Sequence, residues 1–341
     1  MSYIDNPWRG SGLVHPDLDP IPWPSADAAA PRSIMSQTFD PAPTPWVSHD
    51  GLARAVGVDQ LWIKDERNRM GLGSFKALGA AYVIACDAAK GDAKGQGYVT
   101  ASAGNHGLSV AAGAQAFGAR AVVYLADTVP EAFADRLRTK GAEVRREGAV
   151  YEDSMAAAAA AASAEGLRLL SDSSWPGYSA RPHRLMEGYC MLMAEAISQC
   201  PEPATHIYLQ AGVGGLAAAC AVMARQAWGD APDIVVVEPT HAPALHASVQ
   251  AGAALCTSGP ESSMGRLDCK EPSLIALKGL ARDADGFLLI TEAQGQAAAQ
   301  MAAQHGFATT DSGAAGLAGA MSHAPGAEAR VLIILSEGPE A

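Results

Sequence analysis

From residue 61 onward the chain alternates short apolar runs with helix-length, alanine-rich stretches, and no other feature constrains its fold as strongly. Strands are expected at 61–64, 98–100, 120–125, 143–145, 168–170, 207–210, 234–237, 287–290 and 331–335. Helices are expected at 74–88, 107–117, 130–140, 153–165, 185–199, 216–228 and 292–305. Gly141 and Gly166 stand just past two of these helices, where a left-handed residue closes the last turn. Strands interleaved with helices of about ten or more residues imply α/β units on parallel sheets. The run at 120–125, with Val122 and Val123 at its centre, is apolar throughout, as burial on both faces of a sheet requires.

The first 45 residues read differently. Prolines recur at 7, 16, 20, 22, 24, 31, 41, 43 and 45, and Trp8, Trp23 and Trp46 offer anchors. This predicts an irregular, extended arm draped over the body of the protein.

The formal net charge of -12 argues against nucleic acid or an anionic membrane as partner. It leaves room for a small anion, because amides at a helix start can hold a phosphate inside an acidic protein. The six cysteines form no CxxC pair and no His/Cys cluster of zinc spacing, so no metal is expected. Cys86, Cys190 and Cys220 lie in apolar helical stretches and read as small buried thiols. The first ten residues lack an apolar core of signal-peptide type, and no run of 18 apolar residues suggests a membrane span. The cytoplasm is the expected location.

Three segments carry the chemistry. Gly71-Leu72-Gly73-Ser74-Phe75-Lys76 follows a strand and opens a helix, with Ser74 placed to cap it. A cation in the first turn faces the wrong end of the helix dipole, which disfavours its charge and suits an amine nucleophile. A solvated lysine at a helix start is the competing reading. Gln210-Ala211-Gly212-Val213-Gly214-Gly215-Leu216 joins an apolar strand to an alanine-rich helix, so its amides can converge on one phosphate. Neither the dinucleotide pattern nor the P-loop Lys-Ser/Thr pair is present. Tight strand-to-helix packing is the alternative there. Thr100-Ala101-Ser102-Ala103-Gly104-Asn105-His106-Gly107 also joins a strand to a helix, and offers Ser and Asn groups to a ligand's polar edge or simply forms a polar turn. His106 suits a packing role better than metal ligation.

Taken in order, these segments resemble the fold-type II (tryptophan synthase β-like) family of pyridoxal phosphate enzymes, which includes threonine dehydratases and cysteine synthases. The 29 residues from Lys76 to Asn105 fit that pattern, and the likeness runs from about Pro43 to Gly338. The resemblance implies two three-layer α/β/α domains with parallel sheets: an arm at 1–45, a larger cofactor-binding domain from 46–79 and 186–341, and a smaller one at 80–185. It implies that Lys76 carries pyridoxal 5′-phosphate, with Phe75 beside it. Gly212, Val213, Gly214, Gly215 and Leu216 would cradle the phosphate, Asn105 would face the ring oxygen, and Ser336 would face the ring nitrogen. A neutral hydroxyl at that nitrogen favours elimination over transamination. Ser102, Gly104 and His106 would hold the substrate.

Within the family, Arg69-Met70-Gly71-Leu72-Gly73-Ser74-Phe75-Lys76, Asp172-Ser173-Ser174-Trp175-Pro176-Gly177-Tyr178, Glu187-Gly188-Tyr189, Cys269-Lys270-Glu271-Pro272 and Ser336-Glu337-Gly338 look like the 2,3-diaminopropionate ammonia-lyases. That group places an aspartate before Gly-Asn-His-Gly for D-substrates, where this chain has Ala103, and its acid for L-substrates matches Asp172. The expected activity is an L-selective ammonia-lyase, with Lys76 and Asp172 as catalytic residues, acting on a small β-substituted amino acid. A serine, threonine or 3-hydroxyaspartate dehydratase, and a β-replacement enzyme, are the alternatives. Asp172 has a rival reading as a turn cap. A homodimer is the expected assembly.

Overall fold

The computed structural model describes residues 2–39 and 41–339; Met1, Asp40, Glu340 and Ala341, which fall within the expected arm and larger domain, lie outside the described residues. Eleven strands are present among the described residues: β1 Ser2–Asp5, β2 Trp46–Ser48, β3 Gln60–Asp65, β4 Gly97–Ala101, β5 Arg120–Leu125, β6 Ala142–Arg146, β7 Arg168–Leu169, β8 His206–Gln210, β9 Asp233–Pro239, β10 Gly286–Ile290 and β11 Arg330–Leu335. They form two sheets. One runs β1-β10-β9-β8-β11-β3-β2, and the other runs β6-β5-β4-β7. The chain is therefore α/β, as its alternating pattern predicts.

All pairings in the four-stranded sheet are parallel. The seven-stranded sheet is parallel in its interior, but both edge strands run antiparallel: β1 against β10, and β2 against β3. The expected parallel sheets are thus present, with an antiparallel strand added at each edge of the larger one. The expectation of an irregular arm is corrected. Residues 2–5 extend the large sheet, and Ala29–Met35 is a helix. The register of β1 is secured by Asn6, whose Nδ2 donates to the Ala284 and Ala281 carbonyls at 2.6 and 2.9 Å. A proline-rich composition hides such a short strand, because edge pairing is set by the partner and not by local pattern.

The helices that position the site are Lys76–Ala89, Asn105–Ala116, Ala180–Gln199 and Gly215–Trp228. The first is buried along most of its length and sits between the second and the third. Glycines allow this close approach. A Cβ at Gly79 would lie 2.6 Å from Tyr189 Cε1, and one at Gly188 would lie 2.7 Å from the Leu78 carbonyl oxygen. Pattern reading misses the helices Asp50–Val56, Ala244–Ala251, Leu274–Asp283 and Ala315–His323. The last has poor helix propensity because of Gly316 and Gly319. It forms because those glycines let it lie on β8 and β9, where a Cβ at Gly319 would meet Val237 Cγ2 at 2.5 Å.

Helix Ala180–Gln199 begins five residues before its expected start, with Pro182 in its first turn, a position that costs no helical hydrogen bond. Cys86, Cys190 and Cys220 are buried thiols, as expected. No helix among the described residues is long and apolar enough to cross a membrane, and no group of three or more His, Cys, Asp or Glu there could hold a metal.

Candidate active site

Strand β3 delivers the chain to the lysine segment, and a buried charge network fixes that segment before Lys76 is reached. Lys64, Glu66, Arg69 and Glu195 are all buried. The Arg69 guanidinium donates to Glu66 through Nε and Nη2, each at 2.7 Å, and to Glu195 at 2.9 and 2.7 Å. Lys64 donates to the same Glu195 at 2.7 Å and to the Thr44 carbonyl at 2.9 Å. Two cations face two carboxylates with their hydrogen-bonding capacity filled, the condition under which buried charge is tolerated. Immediately afterwards Met70 adopts φ 53°, a left-handed conformation rare for a non-glycine residue.

Lys76 is the first residue of its helix. Phe75, not Ser74, occupies the cap position, which corrects the expected Ser74 cap. Ser74 is drawn instead into a bridge with Glu337, while its Oγ still accepts from the Lys76 amide at 3.3 Å. The Ser336 carbonyl accepts from the Phe75 amide at 3.1 Å, so 336–338 runs beside 73–75 and sets Ser336 against the lysine segment.

The Lys76 Nζ reaches Asp172 Oδ2 at 2.5 Å. Asp172 therefore pairs with the lysine, and its turn-cap reading gives way. Burial works against the Lys76 charge, but the Asp172 carboxylate outweighs it and raises the amine's pKa well above the ordinary lysine range. The helix dipole that disfavours this charge is outweighed, because a carboxylate in contact acts more strongly than partial charges at a helix end. For Asp172, burial alone would favour protonation, but Lys76 and then His106 hold the carboxyl below its usual range.

Around this pair stand Phe75 and Tyr189, with Nζ 5.2 and 5.8 Å from their ring centroids. His106 is buried and bonds the Leu170 carbonyl through Nε2 at 2.8 Å, while its Nδ1 finds no partner among the described residues. Burial depresses its pKa, with the Asp172 carboxylate pulling the other way. Its ring anchors the segment after β7 that carries Asp172.

The 212–216 loop follows β8. Gly214 takes φ 95° at the cap of helix Gly215–Trp228, and no side chain caps that helix. Its first amides thus remain available to an anion, with the helix dipole behind them. Gly212 has no room for a side chain, since a Cβ there would lie 2.9 Å from Cys269 Sγ and 3.1 Å from the Arg266 carbonyl oxygen. The Val213 carbonyl accepts from the Ser273 amide at 3.0 Å, and Leu216 is buried in the core.

The remaining expected residues meet at the boundary between the two sheets. Ser102 Oγ accepts from the Gly104 and Gly107 amides at 3.2 and 3.1 Å, so it shapes the turn in which Gly104 caps the next helix. The Asn105 side-chain amide donates to Glu337, whose carboxylate also accepts from the Thr310 hydroxyl. A cleft of about 340 Å³ opens here, lined by Gly71–Gly73, Asn105, Arg266 and Glu337 among others. Lys76 and Asp172 do not line it.

Residue-by-residue reading assigned no role to Tyr189, Cys269, Arg266 or Glu337. The first two and Glu337 lie in motifs already quoted, which is the signal that could have found them. Arg266 carries none: it packs against Gly104, with Cδ 3.4 Å from a Cβ placed there, and only the fold brings it close.

The donor set suits pyridoxal phosphate. A lysine amine answers an aldehyde, an uncapped glycine-rich helix start answers a phosphate, and polar atoms of Tyr189 and His106, buried without a hydrogen-bond partner among the described residues, lie near the amine. Two sheets of this order with that lysine and that loop define a fold-type II pyridoxal phosphate enzyme. Residues 38–337 match the family model described as pyridoxal-phosphate dependent enzyme, and the chain belongs to that family. It is similar to the diaminopropionate ammonia-lyase of Salmonella typhimurium, with 34% identity over 263 residues, 69% of this chain and 65% of that enzyme. The Escherichia coli K12 enzyme of the same name is 31% identical over 274 residues, 72% of this chain and 67% of its own length. The solved structure of Escherichia coli diaminopropionate ammonia lyase with an aminoacrylate-PLP azomethine intermediate superposes with a TM-score of 0.87 at 27% identity, covering 99% of this chain and 93% of that one. The alignment thus spans just under two thirds of the Salmonella enzyme's length.

Proposed function

We propose that this protein is an ammonia-lyase that eliminates the β-substituent of a small amino acid resembling 2,3-diaminopropionate, with preference for the L-isomer. The observation that carries the reading is the 2.5 Å contact between Lys76 Nζ and Asp172 Oδ2. It puts an amine and a carboxylate at one point, beside a loop suited to a phosphate. The similarity to diaminopropionate ammonia-lyases supports the substrate class.

Lys76 would hold the cofactor through its amine, with Phe75 packed beside it, and Gly212, Val213, Gly214, Gly215 and Leu216 would hold its phosphate. Asn105 and Ser336 would face its ring. Bound there, pyridoxal phosphate supplies an electron sink for charge developing at the substrate's Cα. Either the Asp172 carboxylate or a Lys76 amine that has first given up its proton would take the proton from Cα, and the protonated partner would return one to the leaving group. Ser102, Gly104 and His106 would orient the substrate carboxylate, with Ser102 fixing the loop and His106 holding the Asp172 segment. The division of the strands into two sheets supports a larger domain from 46–79 and 186–341, which β1 of the 1–45 segment joins, and a smaller one at 80–185. Movement between the two would close the site against water. A cytoplasmic homodimer belongs to the same reading.

The test is an assay of purified protein with L- and D-2,3-diaminopropionate, L-serine, L-threonine and 3-hydroxyaspartate, measuring keto acid and ammonia separately. Diaminopropionate plus water balances to pyruvate and two ammonia, whereas serine gives pyruvate and one. A two-to-one ratio with highest kcat/KM on L-diaminopropionate is expected. Higher kcat/KM on a hydroxyamino acid would make the protein a dehydratase. Turnover only with an added nucleophile would make it a β-replacement enzyme.

A further inference from the structure

Tyr189 is 1% exposed and is clamped between two helices. Its Cε1 lies where a Cβ at Gly79 would be 2.6 Å away, and its Cε2 lies 3.6 Å from the Cβ position of Gly215. Its ring meets Phe75 edge to face, centroids 4.9 Å apart. The residue thus bridges the helix that begins at Lys76 and the helix that begins at the glycine loop. A phenylalanine would fill that slot equally well. The hydroxyl is what the packing does not explain, because it finds no partner among the described residues. Burying a hydroxyl unpaired is unfavourable, so such a group in a site points to a bond made in the working state.

The group within reach is the Lys76 amine, 5.8 Å from the centroid of the ring that carries the hydroxyl. The two groups already act on each other, since Lys76 pulls the phenol's pKa down by its charge. Asp172 already holds one side of that amine. A carboxylate accepts N–H bonds and does nothing to direct a nitrogen lone pair. Once the nitrogen has given up its proton in the working state, a phenol can donate to the lone pair it exposes. Burial drives the Tyr189 phenol well above its usual pKa, with Lys76 acting in the opposite sense, so it remains a neutral donor at working pH.

We propose that the Tyr189 hydroxyl is the second partner of the Lys76 nitrogen, a positioning residue that directs its lone pair and lowers its proton affinity. The role rests on the reading of Lys76 as the cofactor-bearing amine.

Tyr189→Phe keeps the ring and removes the hydroxyl. In the cofactor-loaded variant, kcat should fall about 10-fold or more with KM little changed, since the bond serves proton transfer and not substrate binding. The pH midpoint of the visible absorbance of the lysine-bound cofactor should rise by about half a unit or more, because loss of a donor favours the protonated nitrogen. Thermal stability should be unchanged or raised, since an unpaired hydroxyl is removed from the interior. In cofactor-free protein, labelling of Lys76 by an amine-reactive reagent at fixed alkaline pH should be slower in the variant. An unchanged labelling rate and pH midpoint overturn the proposal, as does a lower melting temperature with kinetics and midpoint intact, which would make Tyr189 a packing residue. Borohydride reduction followed by mass mapping separates the underlying reading: cofactor mass on a lysine other than Lys76 refutes that assignment, while the labelling result still decides the role of Tyr189.

Discussion

Lys76 and Asp172 stand 96 residues apart in sequence and meet at 2.5 Å, one at the start of the helix after β3 in the large sheet, the other just beyond β7 in the small one. Neither group has that proton chemistry alone. Each holds the other ionised inside a half-enclosed site.

Asp172→Asn should lower kcat by about 100-fold or more while pyridoxal phosphate still binds, the range for loss of a general acid–base group. A stability test accompanies it. The Asp172 pKa is depressed, so its contribution is present above the unfolded value near ~3.9 and is lost as pH falls through the folded one. The Lys76 pKa is raised, so its contribution is present below the unfolded value near ~10.4 and is lost as pH rises through the folded one. Between those limits the pair's contribution is flat. Urea unfolding of cofactor-free protein at pH 5, 7 and 9 should therefore show one constant difference between the parent and the Asn variant. A difference that changes steadily across that window would show that the two groups are not ionised together.

Glu195 accepts from both Lys64 and Arg69, and Glu195→Gln strands Lys64 in the interior and leaves Arg69 with Glu66 as its one carboxylate partner there. Breaking such a buried network costs about 3–5 kcal/mol. Equilibrium denaturation should register that loss, and the lysine segment should become more susceptible to proteolysis. A loss below about 1 kcal/mol, the value of an exposed pair, would place the network in contact with solvent.

Gly214→Ala tests the phosphate loop. The residue has φ 95°, and a Cβ would press on Ala276 Cβ and Leu245 Cδ1, each at 2.9 Å. Strain at such a position costs about 1–3 kcal/mol. Loss of aligned amides should weaken pyridoxal phosphate binding by about 10-fold or more, measured by titrating the cofactor into apoprotein. Unchanged affinity would return the loop to a packing role.

Stereochemistry rests on Ala103 and Asp172. A D- and an L-substrate present Cα–H to opposite faces of a planar cofactor, and a base misplaced by about 1 Å already costs ~100-fold. The unaltered protein should favour L-diaminopropionate by at least that factor, and Ala103→Asp should add measurable D-activity. Equal rates on the two isomers of the parent enzyme would defeat this assignment.

The α/β order of the core, the lysine at a helix start and the glycine loop after β8 were all legible in the sequence. Each is a local property: period, β-branched runs and glycine at a turn that needs positive φ. Local pattern failed where a partner decides. Strand β1 exists because β10 offers an edge, and helix Ala315–His323 exists because its glycines fit the sheet beneath it. Ser74 loses the cap position because Glu337, from the far end of the chain, claims its backbone.

The site divides in the same way. The sequence by itself determined which groups are present, an amine, an anion cradle and an acid, because residue type and short-range spacing specify them. Only the tertiary structure decided that Asp172 grips Lys76, that Asn105 is held by Glu337, that Arg266 lies on Gly104, and that the Tyr189 hydroxyl is buried beside the amine without a partner. Those contacts join residues tens to hundreds of positions apart. Their geometry is fixed by how two sheets and the helices between them pack, which no local window of sequence contains.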